Sequence, residues 1–242
     1  MGEEQNESVE QKISEICDRV EAEAQDAPAR VYVCGVIGAG KSKTISLLRD
    51  ELRRRGLRVY VQREELPAGL FEHYLADRKK YWFKFQAAMA HLRSFNTFIA
   101  EDARDSNGEP YDVVIGERCP LDDAVFFATN AQVEGVSMED HPDMQREYDS
   151  ITLYAKCRCL EQTSLFVCIG VQMDVAYRRM LTRDRAGESE AYSAESEASD
   201  YFRVLYGNYQ KFIDDLAESE PRRTVVLDNT QFSTLHVSAK DI

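Results

Sequence analysis

The residues GVIGAGKS, at positions 35–42, follow the short apolar run VYVC and match the pattern of a glycine-rich phosphate-binding loop. Glycines let backbone N–H groups converge on phosphate oxygens, and a helix that begins near Lys41 adds the positive end of its dipole. Lys41 can reach the outer phosphates, and the Ser42 hydroxyl can bind Mg²⁺. The motif therefore predicts a site for a nucleoside triphosphate. Its cradle consists of Gly35, Val36, Ile37, Gly38, Ala39, Gly40, Lys41 and Ser42.

Two polar residues mark one face of a predicted helix at positions 71–103. Gln86 and Arg93 are seven residues apart, which is two helical turns, so both project from the same face with Met89 and Ala90 between them. A glutamine amide offers a paired donor and acceptor, as the recognition of a base edge requires. A polar stripe that faces solvent is the alternative interpretation.

The pair Glu117-Arg118 follows a predicted strand at positions 112–115. In open α/β sheets, ligands bind at the carboxyl ends of the strands. A carboxylate there can bind Mg²⁺ directly or through water, and an adjacent arginine can neutralise charge that develops on a phosphoryl group. The alternative is a surface ion pair, with Asp122 and Asp123 as ordinary residues of a helix start.

Four arginines lie within eight residues of a chain that is otherwise acidic, and they precede the polar segment AGESEAYSAESEAS. Such a group can close over ATP as a lid and stabilise charge in a transition state. A solvated basic face is the alternative. The arginines are Arg178, Arg179, Arg183 and Arg185.

These candidate residues must be positioned by a regular scaffold, and strands alternate with helices along the chain. Such alternation predicts an α/β fold in which a five-stranded parallel sheet carries helices on both faces. The strands are expected at 30–34, 57–61, 112–115, 165–169 and 224–227. The helices are expected at 41–55, 71–103, 138–160, 175–183 and 200–218. We expect an acidic N-terminal helix within 1–29 and one P-loop domain over 30–242, with a lid at 183–199.

Composition excludes several other classes of protein. The formal net charge of −13 argues against a nucleic-acid partner, which a basic face would have to neutralise. No apolar run approaches the roughly 20 residues needed to cross a bilayer, and the N-terminus lacks the features of a signal peptide. We therefore expect a cytoplasmic protein with no membrane partner. The six cysteines show no zinc-finger spacing and are interpreted as buried thiols.

Taken together, four motifs resemble those of the deoxynucleoside kinase family, which contains deoxycytidine and deoxyguanosine kinases and herpesvirus-type thymidine kinases. GVIGAGKS resembles the family's GNIGAGKS loop, and Phe85-Gln86 resembles its Phe-Gln motif. Glu117-Arg118-Cys119 resembles its Glu-Arg-Ser motif, and the arginines at 179, 183 and 185 resemble its lid. The motifs occur in the family's order between about residues 31 and 227. The resemblance implies the P-loop kinase fold, ATP as phosphate donor, Mg²⁺, and a homodimer formed through the long central helices.

The resemblance also implies how the nucleoside is held. Gln86 would pair with the base, while Phe85 and Phe127 would flank its ring. Glu188, in the lid, would hold the 3′-hydroxyl of the sugar, with Tyr74 as its partner.

The residues at the reacting end follow from the same resemblance. Glu117 and Arg118 would hold the 5′-hydroxyl and the Mg²⁺–phosphate end, with Ser42 as the second metal ligand. The family has a Glu-Pro pair after its second strand, but here no proline directly follows Glu64 or Glu65, so both are candidates for the general base. Glu64 is the first choice and Glu65 the second; solvated loop charges are the alternative. The candidate catalytic residues are Lys41, Glu64, Arg118, Arg179, Arg183 and Arg185.

One pair of residues concerns the choice of substrate. Arg93 and Asp123 occupy positions where deoxycytidine and deoxyguanosine kinases carry an arginine and an aspartate beside the base, whereas relatives that prefer thymidine have apolar residues. The predicted activity is therefore phosphorylation of the 5′-hydroxyl of deoxynucleosides in salvage, with deoxycytidine or purine deoxynucleosides favoured over thymidine. A nucleoside monophosphate kinase and a P-loop regulatory ATPase are the two competing hypotheses.

Overall fold

The computed structural model of the chain describes residues 9–25, 27–67, 69–183 and 197–230. Five strands form one parallel sheet in the order β2-β3-β1-β4-β5. The strands are β1 Ala29–Gly35, β2 Val59–Gln62, β3 Val113–Glu117, β4 Leu165–Gly170 and β5 Thr224–Asp228. The five predicted strands and the α/β class are confirmed. Because the central strands β1, β3 and β4 are buried on both faces, they consist almost entirely of apolar residues.

The described helices surround this sheet. They are α1 Val9–Glu23, α2 Lys41–Arg54, α3 Leu70–Ala76, α4 Arg78–Glu101, α5 Asp123–Val133, α6 Pro142–Gln162, α7 Met173–Arg183 and α8 Glu197–Ser219. Helix α1 is amphipathic, since Ile13, Ile16 and Val20 are buried in the same core as the sheet. None of the helices in the described ranges is long and apolar enough to cross a membrane.

The single helix expected at 71–103 was wrong, because the chain forms two helices that meet at Asp77. This residue leaves the helical conformation, with φ −148° and ψ 80°. Its carboxylate accepts a hydrogen bond from the backbone N–H of Lys80 at 3.1 Å and so caps the start of α4. The break lets α3 pack against α4.

Two apolar clusters hold the elements together. The larger one contains the strands and the inner faces of α1, α2, α7 and α8. The second lies between α3, α4, α5 and α6 and is mainly aromatic. Its buried members are Phe71, Tyr74, Trp82, Phe85, Met89, Ala90, Phe127, Ala131 and Tyr148. This aromatic cluster adjoins the carboxyl ends of the strands, where the candidate site residues meet.

Candidate active site

The phosphate-binding loop joins β1 to α2, and its conformation requires glycine at two positions. Gly38 has φ 79° and Gly40 has φ 101°, both in the left-handed region. A Cβ atom on Gly38 would lie 2.1 Å from the carbonyl oxygen of Ala176, and one on Gly40 would lie 2.2 Å from Nδ2 of Asn229. The loop is therefore packed closely between α7 and the end of β5.

Lys41 begins α2 and is folded back into the loop. Its ammonium group donates to the carbonyl oxygens of Gly35 at 3.1 Å and Val36 at 3.3 Å. Burial, together with the positive charge of Arg118, lowers the pKa of Lys41 to about 7, although Glu117 opposes the shift. The oxygens of a polyphosphate would stabilise the charged form of this side chain.

Ser42 and Glu117, the two predicted metal ligands, lie close together beside the loop. The Ser42 hydroxyl lies 3.5 Å from Oε1 of Glu117 at the carboxyl end of β3. Hydroxyl and carboxylate oxygens are hard ligands of the kind that Mg²⁺ takes beside substrate phosphates, so this donor set fits the ion.

Glu64 lies just beyond β2, and two arginines surround its carboxylate. Oε1 is 2.9 Å from Nε of Arg118 and also accepts a bond from Nη2 of Arg93. Burial alone would raise the pKa of Glu64, but the charges of Arg118 and Arg93 outweigh it and hold the pKa far below its ordinary value. Glu65 is exposed. The structure thus brings Glu64, and not Glu65, to the centre of the charged group.

Arg93 and Asp123 form the ion pair that the sequence predicts. Asp123 is buried and the side chain of Arg93 is only 10% exposed, and Nη1 of Arg93 contacts Oδ1 of Asp123. The other end of the same guanidinium contacts Glu64, a link that the sequence does not predict. Arg93 therefore connects α4, which carries the predicted nucleobase-binding residue Gln86, with Glu64, the candidate general base.

Arg118 has φ 67°, and it is the one non-glycine residue in the described ranges with a positive φ. Its Nη1 donates to the carbonyl oxygen of Gly35 and to the hydroxyl of Tyr209, both at 3.2 Å, and its guanidinium lies 4.5 Å from the centroid of the Phe126 ring. Such backbone strain persists only where the surroundings over-determine the residue, and it is concentrated at functional sites. Burial lowers the pKa of this arginine, but Glu64, Tyr209, Asp122 and Glu117 together outweigh burial and raise the pKa above its ordinary value.

The predicted base-binding residues lie in the aromatic cluster. Gln86 is only 2% exposed, which contradicts a solvated stripe, and its Oε1 is buried with no hydrogen-bond partner among the described residues. Phe85 stacks on Tyr74 with ring centroids 4.6 Å apart, and Phe127 stacks on Tyr148 at 4.0 Å. Buried amide oxygens in proteins nearly always have a donor, so Gln86 is suited to a ligand that supplies one.

The lid arginines are only partly covered by the description. Arg179 is half-buried on α7, and its Nη2 donates to the carbonyl oxygen of Asn229 at 3.0 Å. Arg183 is exposed at the end of α7, close enough to Lys41 to lower the pKa of that lysine. Arg185 and Glu188 lie outside the described residues.

Sequence reasoning did not find three buried polar residues of this site. Asn229, directly after β5, donates to the carbonyl oxygen of Ala39 in the phosphate-binding loop. Tyr209 on α8 and Asp122, just before α5, bond to each other behind Arg118. The position of Asn229 at the carboxyl edge of the sheet is a signal that could have found it. Nothing in the pattern of α8 distinguishes Tyr209 from its other aromatic residues.

Comparison with known families gives one match. A family model described as deoxynucleoside kinase matches residues 31–242, which include all the strands except the first two residues of β1. No curated protein sequence matches the chain. The match confirms the resemblance that the four motifs indicate, and α1 lies outside it.

Proposed function

Because the chain belongs to the deoxynucleoside kinase family, we propose that it transfers the γ-phosphoryl group of ATP to the 5′-hydroxyl of a deoxynucleoside, which is a salvage reaction. The family supports nucleoside kinase activity in general, and the site residues support this finer assignment. The observation that carries it is the buried carboxylate of Glu64, held between Arg93 and Arg118 beside the phosphate-binding loop. A nucleoside placed over the aromatic cluster would present its hydroxyl there.

In the proposed reaction, the nucleoside O5′ forms a bond to the γ-phosphorus while the bond from that phosphorus to the bridging oxygen of ADP breaks. Glu64 accepts the hydrogen bond of the 5′-hydroxyl and takes its proton. A carboxylate with a low pKa is sufficient as the base. In a loose transition state the phosphoryl group bonds only weakly to the attacking oxygen, so the hydroxyl need not be a strong nucleophile. Arg118 neutralises the charge that spreads over the phosphoryl oxygens.

The residues of the loop hold the donor in line with this hydroxyl. Lys41 and the backbone N–H groups of the loop bind the phosphates, and Arg179 and Arg183 approach from α7. Ser42 and Glu117 would hold Mg²⁺ directly or through water. When bound, the ion would reduce the negative charge of the phosphate oxygens.

The base end supports a preference for deoxycytidine or a purine deoxynucleoside over thymidine. The largely buried pair of Arg93 and Asp123 is polar and would crowd the methyl group of thymine, while it can hydrogen bond to cytosine or a purine. Gln86 supplies an unpaired acceptor in the same region. One extra methyl group changes relative efficiency by about 10- to 200-fold when a pocket excludes it.

An exposed apolar surface on α4 and α6 supports the proposed homodimer. Phe95 is 62% exposed and Leu153 is 63% exposed, and Phe98 stacks on the exposed ring of Tyr154 at 5.0 Å. Large apolar side chains grouped on a polar surface mark interaction sites. Sedimentation should give a dimer, and Leu153→Lys should shift the mass towards a monomer.

The six unpaired cysteines suit the reducing cytosol, which is the compartment we expect.

The experiment that tests the proposed function measures products from ATP and a panel of nucleosides and nucleotides. We expect deoxynucleoside monophosphates from deoxynucleosides. Diphosphates formed from monophosphates would instead show a nucleoside monophosphate kinase, and ATP hydrolysis without any acceptor would show a regulatory ATPase. Glu64→Gln should lower kcat by about 10²- to 10⁴-fold, the range of general-base catalysis. Glu65→Gln, the matched control on the neighbouring exposed residue, should leave kcat unchanged.

A further inference from the structure

The hydroxyl of Tyr209 lies behind the active-site arginine, at a junction of three elements. Tyr209 is on α8 and is fully buried. Its oxygen accepts the backbone N–H of Gly35 at 3.2 Å and Nη1 of Arg118 at 3.2 Å. It donates its own hydrogen to Oδ2 of Asp122 at 2.5 Å. One side chain therefore contacts the first residue of the phosphate-binding loop, the arginine after β3 and the carboxylate before α5.

The direction of each of these bonds is determined by the groups present. A tyrosine hydroxyl has one hydrogen to donate, and it can also accept. Gly35 N–H and the Arg118 guanidinium can only donate, so the single hydrogen of Tyr209 must go to Asp122. All the hydrogen-bonding capacity of the hydroxyl is used within 3.2 Å. No other side chain of similar shape offers the same set, and phenylalanine offers none of it.

Asp122 completes the arrangement from the opposite side. Its side chain is fully buried, and Oδ2 lies 3.8 Å from Nη1 of Arg118. The same guanidinium donates to the carbonyl oxygen of Gly35 and pairs with Glu64 through Nε. Tyr209 and Asp122 thus hold one end of the guanidinium while Glu64 holds the other. This explains how a residue with a positive φ keeps one orientation.

We propose that Tyr209, acting with Asp122, is a positioning residue that fixes the Arg118 guanidinium relative to the phosphate-binding loop. The proposal rests on the proposed function, since Arg118 is taken to neutralise the phosphoryl group in flight. Tyr209 does not touch the substrates. It acts by joining Gly35, where the phosphate donor binds, to Arg118, where the acceptor binds, so that the distance and orientation between the two halves of the site stay fixed.

The test is Tyr209→Phe, which removes only the hydroxyl. A misplacement of the order of 1 Å lowers the rate by about 10²-fold, so kcat should fall by about that factor while the KM values for ATP and nucleoside change little. Tyr206→Phe is the matched control. It lies on the same helix, and its hydroxyl donates at 2.9 Å to the carbonyl oxygen of Val171. The control should have the kcat of the unaltered protein.

Asp122→Asn is the second variant, and it carries the test if Tyr209→Phe does not fold. At pH 8, above the pKa of about 7 that burial gives the Asp122 carboxyl, the amide keeps the shape and an acceptor for Tyr209 but loses the charge. Hydrogen bonds to charged groups are about twice as strong as those between neutral groups. We expect kcat to fall by about 3- to 10-fold, with the KM values retained. In the double variant, kcat should fall by less than the product of the two single-variant losses, because both substitutions disturb the same hydrogen-bonded group.

The outcomes separate this proposal from the proposed function. If the unaltered protein phosphorylates no deoxynucleoside, the proposed function is wrong. If it does so, and the folded Tyr209→Phe variant keeps a kcat within about threefold of the Tyr206→Phe control, the positioning role is wrong. A Tyr209→Phe variant that loses thermal stability but not kcat has the same meaning, since it shows a structural role only. Asp122→Asn with unchanged kcat would also overturn the proposal.

Discussion

The phosphate end and the base end of the site are held together by different means. At the phosphate end, the backbone itself forms the cradle, and the positive φ values of Gly38 and Gly40 determine its shape. At the base end, which comprises the nucleobase pocket and the adjoining site of the acceptor hydroxyl, side chains from four separate segments meet in the group of Glu64, Arg93, Arg118 and Asp123. A backbone cradle depends on a few consecutive residues, whereas a group of side chains depends on the whole tertiary fold.

This difference determines how each end should respond to substitution. A change at the phosphate end removes a single contact and leaves its neighbours satisfied by backbone groups. A change at the base end leaves a buried charge without its partner, which costs several kcal/mol for a fully buried pair. We therefore expect loss of activity without loss of stability at the first end, and coupled losses at the second.

The largest expected effect is that of Lys41→Ala. It should lower kcat by about 10³-fold or more, since the lysine neutralises charge on the outer phosphates. The melting temperature should not fall, because burial of the Lys41 charge is unfavourable, as the lowered pKa of about 7 indicates. Coupled phosphate-transfer assays and thermal unfolding measure the two quantities. Lys43→Ala removes the same charge two residues further along α2; it is the control and should stay active. Near-normal turnover of Lys41→Ala would contradict the proposed role of the loop in binding the phosphates.

The same difference explains what the sequence could predict. The cradle lies within eight consecutive residues, and the strands are apolar runs bounded by turns, so local patterns were sufficient for both. The break at Asp77 was missed because a capping aspartate interrupts an otherwise helical apolar pattern. The link between Glu64 and Arg93 joins residues 29 positions apart on a loop and a helix, and no local pattern encodes such a contact.

Tyr209 shows the limit of this reasoning most clearly. Along α8 it is one of several aromatic residues on a buried face, and periodicity alone assigns it to the core. Its hydroxyl gains a role only because the fold brings it to Gly35 at the end of β1 and to Arg118, which precedes it by 91 positions. Family motifs identify residues that touch substrates, and a residue that acts on them from behind carries no such signature.

A change in substrate preference at the base end tests whether the charges there act as a unit. Replacing both Arg93 and Asp123, as Arg93→Met with Asp123→Ala, should narrow the preference against thymidine by about tenfold or more in kcat/KM. The double change removes the charges together and makes room for the thymine methyl group. Ratios of kcat/KM for deoxycytidine, deoxyguanosine and thymidine measure the effect.

The single change Asp123→Ala sharpens this comparison. Arg93 would keep Glu64 as a partner, so its charge would not be wholly stranded, but it would be free to draw Glu64 away from the 5′-hydroxyl. We expect kcat for every nucleoside to fall by about 10²-fold, with less change in the ratio between nucleosides. If the unaltered protein already prefers thymidine, the placement of this pair beside the base is wrong.

The smallest expected effect concerns Asp122, where a buried carboxyl makes stability depend on pH. Burial raises the pKa of Asp122 from 3.8 to about 7, and the charge of Cys119 acts in the same direction, while Arg118, Arg93 and the Tyr209 hydroxyl oppose it. A folded-state pKa above the unfolded value means that the folded protein binds the extra proton between pH 4 and 7 or so, and its stability falls as the pH rises through that window. Asp122→Asn cannot titrate. The free energy of unfolding of the unaltered protein, measured relative to that of Asp122→Asn in urea, should therefore decrease by about 1 kcal/mol per pH unit from pH 5 to 7 and level off above. If this difference in the free energy of unfolding stays constant from pH 5 to 8, Arg118 and Arg93 keep the Asp122 carboxyl ionised throughout. The arginines would then neutralise Asp122 as they neutralise Glu64.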